Sequence, residues 1–83
     1  MSITLDNAIQ KRDLNGDLFT ISQVEVDNVQ FTREGHVCVN YRDIVTKQYA
    51  GTKQFSTPAA VDNIIGQIDT YVTAQGIVAG TKD

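Results

Sequence analysis

The chain has 83 residues, of which 41% are apolar and 20% are charged, with a net charge of −3. These values exclude a disordered polyelectrolyte and indicate one small domain over residues 1–83. The single cysteine, Cys38, excludes an intramolecular disulfide, and no apolar run approaches the roughly 18 residues of a membrane span. We therefore expect a soluble cytoplasmic protein, located in the host cytoplasm if a phage encodes it. Its thin core favours support from a partner or from oligomerisation.

The N-terminal segment, residues 1–13, allows two structures. Ile3 and Leu5 fit an edge strand, whereas the stretch from Asp6 to Arg12 fits one or two helical turns. No periodicity separates the two alternatives, so this segment stays uncertain.

From Leu18 to Phe55, apolar residues alternate with polar ones, as expected for strands with one buried face. The alternation changes phase between residues 21 and 24 and again between 26 and 29. Because a strand changes its buried face only at a bulge or a turn, the sequence predicts a turn at Asp27–Asn28, where both residue types tolerate the left-handed region. A second turn is predicted at residues 33–35, where Gly35 can adopt positive φ.

In the next strand, Val37, Val39 and Tyr41 share one face. A last strand reaches Phe55. The turn before it falls either near residues 43–46 or at Ala50–Gly51, and the pattern fits both.

A helix is predicted from Thr57–Pro58 to about Gly76, because Thr57 is a good N-cap, Pro58 suits the first turn and Gly76 suits the C-terminal end. Its spacing separates two faces. Facing the sheet are Val61, Ile64, Ile65, Ile68, Tyr71 and Val72. Largely on the other face are Asp62, Gln67, Asp69 and Thr73. Residues 77–83 then form a short tail.

The predicted fold class is α+β: a three- or four-stranded antiparallel meander with one C-terminal amphipathic helix packed on one face. The other sheet face must meet either solvent or a partner.

The segment from Asp13 to Asp17 resembles the opening of the calcium loops of EF-hands and dockerins, since Asp13, Asn15 and Asp17 stand at ligand positions one, three and five. The resemblance ends there, because Leu18 replaces the glycine of position six and Val24 replaces the carboxylate of position twelve. The sequence therefore favours a polar turn, and no metal is expected.

His36, Cys38, Asn40 and Arg42 alternate on one side of a strand. Neighbours on one strand face are about 6.6–6.8 Å apart, whereas a nucleophile and its base must lie within about 3.2 Å. His36 and Cys38 also supply too few ligands for zinc. We therefore expect no catalytic, cofactor or metal site, and no enzyme.

Aromatic and basic side chains interleave between Tyr41 and Phe55, as on sheets that stack nucleic-acid bases. The acidic net charge opposes such binding. Nucleic acid is therefore an unlikely partner, although single-stranded nucleic-acid binding stays an alternative.

The sequence predicts a non-catalytic protein-binding module, of the kind of a phage accessory protein or inhibitor that docks on a larger protein complex and blocks it. The alternative is a structural subunit of a virion or tail that forms a homo-oligomer; no membrane is expected as a partner. Interface energy concentrates in aromatic and Arg residues. The candidate partner-binding residues are Phe31, Tyr41, Arg42, Lys47, Tyr49 and Lys53.

Overall fold

The computed structural model describes residues 2–56 and 66–83, and these contain one antiparallel sheet and one short helix. The strands pair in the order β4-β3-β2-β1-β5, so the first four form a meander and β5 is added beside β1. The prediction of an antiparallel sheet is confirmed. The predicted three or four strands are too few, since the described residues form five. The elements are β1 Ile3–Arg12, β2 Leu18–Phe31, β3 His36–Asp43, β4 Tyr49–Ser56, α1 Ile68–Ala74 and β5 Gly80–Lys82.

The uncertain N-terminal segment forms β1, and neither the edge strand nor the helical turns describe it. β1 lies inside the sheet, between β2 and β5, and Ile3 is fully buried. Its pairing with β2 is interrupted between Thr4 and Ile9, where Thr4 opposes Gln23 and Ile9 opposes Ile21. This interruption explains the first change of phase in the sequence.

β2 continues through the site of the predicted turn. Val26 pairs with Tyr41 and Asn28 with Asn40, which leaves Asp27 as the extra residue of a β-bulge. The prediction of a turn at Asp27–Asn28 is therefore wrong. A bulge, like a turn, changes which residues of the sequence point to the buried side of the sheet. Its single extra residue leaves no distinct signal in the sequence.

The other two turns follow the sequence more closely. Gly35 has φ 81° in the turn that joins β2 to β3, as predicted, and the amide of Thr32 donates to the carbonyl of His36 at 2.9 Å. The turn before β4 lies at residues 44–48, which selects the first of the two alternatives. Ala50 lies instead at a bulge, because Arg42 pairs with Tyr49 and Tyr41 with Gly51.

The core lies between the sheet and α1. The buried apolar residues are Ile3, Ile21, Val24, Val37, Val39, Tyr41, Ala50, Ile68, Val72 and Val78. The predicted inward orientation of Ile68 and Val72 is confirmed, whereas Thr57, Pro58, Val61, Asp62, Ile64 and Ile65 lie outside the described residues. Asp69, predicted largely on the outer face, is buried. Ile68, Asp69 and Val72 span roughly 100° of the helix circumference, so a buried stripe of ordinary width includes Asp69.

The described helix has seven residues and lies between β4 and β5, so the predicted long C-terminal helix is not observed in the residues described. Gly76 follows its end with φ 71°, as expected for a C-terminal stop. Residues 80–82, predicted within a tail, form β5 and pair with β1. The carboxylate of Asp83 accepts hydrogen bonds from Ser2 at 2.6 Å and Thr4 at 2.7 Å, which fixes β5 at its outer end. No helix among the described residues has the length and apolar character needed to cross a membrane.

Candidate protein-binding face

The two faces of β2, β3 and β4 differ sharply. Residues that pair directly across strands share a face, so the register assigns every side chain to one side. The side with Val37 and Val39 packs against α1. We call the opposite side the open face, because no described element covers it and none of its side chains is buried. The open face consists of Glu25, Asn28, Gln30, Cys38, Asn40, Arg42, Tyr49, Thr52 and Gln54.

A chain of hydrogen bonds crosses the open face from β2 to β4. The amide Nδ2 of Asn40 donates to Oδ1 of Asn28, and Oγ1 of Thr52 donates to Oδ1 of Asn40 at 2.6 Å. Because the Thr52 hydroxyl hydrogen is used in this way, the Tyr49 hydroxyl is the donor in its 2.7 Å contact with Thr52 Oγ1. These four uncharged side chains therefore hold one another in fixed positions.

Cations and carboxylates pair beside this chain. Arg42 Nε lies 3.0 Å from Oε1 of Glu25, and Arg42 Nη1 lies 3.4 Å from Oδ1 of Asp27. The ammonium of Lys47 binds the same Glu25 carboxylate. The hydrogen bond from Lys47 is the largest cause that lowers the pKa of Glu25 below its ordinary value. Desolvation opposes it, and the hydrogen bond from Arg42 adds a smaller lowering effect. The charges at this end of the open face are therefore largely neutralised within the protein.

The residues that suggested a nucleophilic triad do not contact one another through hydrogen bonds. The thiol of Cys38 points to Oε1 of Gln54, 3.6 Å away on β4, and His36 lies opposite Ser56. Their alternation along β3 keeps them apart, as the strand spacing predicts.

The structure brings together three of the six predicted partner-binding residues. Arg42 and Tyr49 lie on the open face, and Lys47 joins them through Glu25. Tyr49 is 57% exposed, and the ammonium of Lys11 from β1 lies 5.1 Å from the centre of its ring. This contact links two strands that are not neighbours in the sheet.

The other three residues lie elsewhere. Phe31 and Lys53 pair with Val37 and Val39, which places both on the helix side, where Phe31 is 53% exposed. Tyr41 is only 4% exposed and belongs to the core. The prediction of Tyr41 as a surface anchor therefore does not fit its position.

Sequence reasoning missed Asn28 and Thr52 as members of the site and considered Asn40 only as part of a triad. The alternation of apolar and polar residues along β3 placed Asn40 on the polar side of the strand. This alternation was the sequence signal for its membership of the open face. Asn28 faces the same side only because of the bulge at Asp27, and the sequence does not reveal that bulge.

A small apolar cavity of about 50 Å³ lies on the helix side and is partly open. β1 and β4 line it from opposite sides, so the sheet curls around the core. The lining residues are Leu5, Ile9, Val24, Tyr41, Ala50, Gly51, Lys53 and Val78. The hydroxyl of Tyr41 is buried and has no hydrogen-bond partner among the described residues. Burial, followed by the charge of Asp69, raises its pKa well above the ordinary value. It therefore remains a protonated donor.

The predicted polar turn at residues 13–17 is confirmed. Oδ1 of Asp13 accepts hydrogen bonds from the amides of Asn15 and Asp17, both at 2.9 Å. Across residues 2–56 and 66–83, no group of three or more His, Cys, Asp or Glu side chains is arranged to hold a metal ion.

Comparison with protein-family models, characterised proteins and solved structures gives no significant match for this chain.

Proposed function

We propose that the protein is a non-catalytic protein-binding module that docks on a larger protein through its open face. The observation that carries this proposal is the hydrogen-bonded chain from Asn28 through Asn40 and Thr52 to Tyr49. Uncharged polar groups that are already fixed lose little conformational entropy on binding, and they cost less to desolvate than ions. The exposed Tyr49 at the end of the chain supplies an aromatic anchor.

The charge pairing favours a protein partner over nucleic acid. Arg42 is already bound to Glu25 and Asp27, and Lys47 is already bound to Glu25. A phosphate backbone would have to displace these carboxylates, and the net charge of −3 gives it no long-range attraction. Single-stranded nucleic-acid binding therefore remains the less favoured alternative.

Within the protein-binding class, we propose a phage-type accessory protein or inhibitor that blocks the complex on which it docks. The alternative, a self-assembling virion or tail subunit, requires a surface that pairs with its own copy. The long edge strand β4 carries Lys53 as its only charged residue, and a lysine on an edge strand opposes pairing between copies. This feature supports a foreign partner.

The experiment compares two matched variants. Thr52→Arg places a long cation in the middle of the open face, whereas Thr70→Arg makes the same change on the exposed side of α1. Each immobilised protein is incubated with lysate of the cells in which the chain occurs, and retained proteins are identified by mass spectrometry. Each candidate partner is then purified, and its affinity for each variant is measured by calorimetry.

We expect one partner that binds the wild-type and Thr70→Arg proteins equally and binds Thr52→Arg at least about tenfold more weakly, a loss of about 1.4 kcal/mol. Equal binding by both variants would refute the open face as the docking surface. Light scattering over a range of concentrations tests the alternative. A discrete large oligomer that Thr52→Arg leaves intact would favour the assembly subunit.

A further inference from the structure

Among the described strands, β4 lies at one edge of the sheet. β4 pairs with β3 on one side, and its eight residues face no described strand on the other. An edge strand presents unpaired N–H and C=O groups, which can accept another extended chain. The opposite edge, β5, has only three residues and is held at its end by Asp83. β4 is therefore the longer template for strand addition.

The cavity lies beside this same edge. Ala50, Gly51 and Lys53 of β4 form one wall, and Leu5 and Ile9 of β1 form the wall across from it. A strand added to β4 would extend the curled sheet towards β1, with alternate side chains directed to the helix side. A cavity of about 50 Å³ has room for one small apolar group and for no larger ligand.

The atoms that line the cavity are apolar. The group that fits it is therefore a small apolar side chain, which loses contact with water there and leaves no polar atom without a partner.

The charge of β4 favours pairing with a strand of another protein over pairing with a second copy of this chain. Lys53 lies near the middle of Tyr49–Ser56, so antiparallel pairing between two copies would bring two ammonium groups close together. Like charges opposite each other destabilise strand pairs, whereas opposite charges stabilise them. The edge therefore fits an acidic strand of another protein.

We infer that β4 accepts an extended segment of another protein, which inserts one apolar side chain into the cavity and places a carboxylate against Lys53. This inference rests on the proposed function, since it specifies the partner of a protein-binding module. It adds a second contact, because β4 borders both the cavity and the open face.

The test uses synthetic peptides and the full ¹⁵N-labelled chain. The probe is the acetylated and amidated peptide Thr-Glu-Thr-Leu-Thr-Thr, in which Glu and Leu are two residues apart and therefore share one face of an extended strand. Two matched peptides replace Leu by Ala or Glu by Lys. Amide shifts are followed by NMR during titration of the wild-type protein, of Lys53→Glu and of Ile9→Phe, which fills the cavity. Thr70→Glu adds the same negative charge on the exposed side of α1 and serves as the control.

We expect shifts concentrated in residues 49–56, and about tenfold weaker binding for the Ala peptide and for Ile9→Phe. The Lys peptide should bind the wild-type protein poorly and bind Lys53→Glu better than the original peptide does. Thr70→Glu should leave the order of the three peptide affinities unchanged. Absence of shifts in β4 at millimolar peptide, or equal binding of all three peptides, would overturn the inference.

If the peptide experiments fail while Thr52→Arg still weakens partner binding, this inference is wrong and the proposed function stands. If Thr52→Arg has no effect but the peptides bind as expected, β4 is the docking site and the open face is not.

Discussion

The side-chain carbonyl of Asn40 accepts a hydrogen bond from the Thr52 hydroxyl at 2.6 Å, and this contact joins β3 to β4 on the side of the sheet that no described element covers. Asn40 is thereby tied at both ends, since its amide nitrogen binds Asn28. A surface of free polar side chains would lose rotamer entropy on binding, whereas this group has lost much of it already on folding. The contact is therefore the structural basis of the proposed docking face.

Tyr41→Phe is predicted to keep or increase stability. The substitution removes a buried hydroxyl that has no hydrogen-bond partner in residues 2–56 and 66–83, and it keeps the ring that fills the core. An unsatisfied buried polar group costs about 1–3 kcal/mol, so the free energy of unfolding should stay equal or rise by up to about that amount. Urea denaturation followed by circular dichroism measures the change. A loss above about 1 kcal/mol would show that the hydroxyl does have a partner in solution.

Ile68→Ala is predicted to destabilise the protein by about 2–5 kcal/mol, because Ile68 is buried between α1 and the sheet. Thr70→Ala, two residues further along the same helix, changes an exposed side chain and should shift stability by no more than about 0.5 kcal/mol. Thermal and urea unfolding of both variants give the comparison. Equal effects of the two substitutions would mean that α1 is rotated relative to the orientation described.

Stability is predicted to fall in acid, with a defined contribution from Asp43. Its Oδ2 atom accepts hydrogen bonds from the Thr46 hydroxyl at 2.7 Å and the Thr46 amide at 3.0 Å. The Thr46 hydroxyl is the main cause that lowers the pKa of Asp43. A carboxyl whose pKa is lowered on folding stabilises the native state above its unfolded pKa, and this stabilisation disappears as the pH falls through the folded value.

The measurement is the urea midpoint of the wild-type protein and of Asp43→Asn between pH 7 and pH 2. Asp43→Asn should be less stable at pH 7 and should lose less stability on acidification. The pKa values of Glu25 and Asp83 are also lowered by hydrogen bonds, so part of the acid sensitivity should remain in the variant. Parallel pH profiles for the two proteins would contradict the role of Asp43.

Gly80→Ala is predicted to separate β5 from β1. A β-carbon at residue 80 would lie 2.5 Å from the backbone oxygen of Thr4, and a backbone atom cannot move away as a flexible side chain can. Hydrogen exchange should show faster exchange at residues 80–82 in this variant and little change in β3. The control is Thr81→Ala, which alters an exposed neighbour in the same strand. Unchanged protection of β5 in Gly80→Ala would refute the close approach.

The alternation along β3 was sufficient to predict its two faces. Val37 and Val39 face the core, and Cys38 and Asn40 face the other side, because successive side chains of a strand point in opposite directions. The inward orientation of Ile68 and Val72 followed in the same way from their spacing, whereas Asp69, predicted largely on the outer face, is buried. The predictions for β3 and for Ile68 and Val72 succeeded because local periodicity alone determines them.

The parts that sequence reasoning missed depend on long-range pairing. β5 consists of Gly80–Lys82, which has no strand pattern, and it forms because β1 and the Asp83 carboxylate hold it. The bulge at Asp27 aligns Asn28 with Asn40, and it becomes visible only when β2 and β3 are paired. Tyr41 was predicted as a possible surface anchor because the sequence did not show which sheet face the helix covers.

The most direct test of the account is the affinity of the purified partner for Thr52→Arg and for Thr70→Arg, measured side by side with the wild-type protein. We expect the affinity of the partner to be at least about tenfold weaker for Thr52→Arg than for the wild-type protein, and unchanged for Thr70→Arg. Wild-type affinity for Thr52→Arg, with its fold intact by circular dichroism, would contradict the claim that this protein binds its partner through the open face.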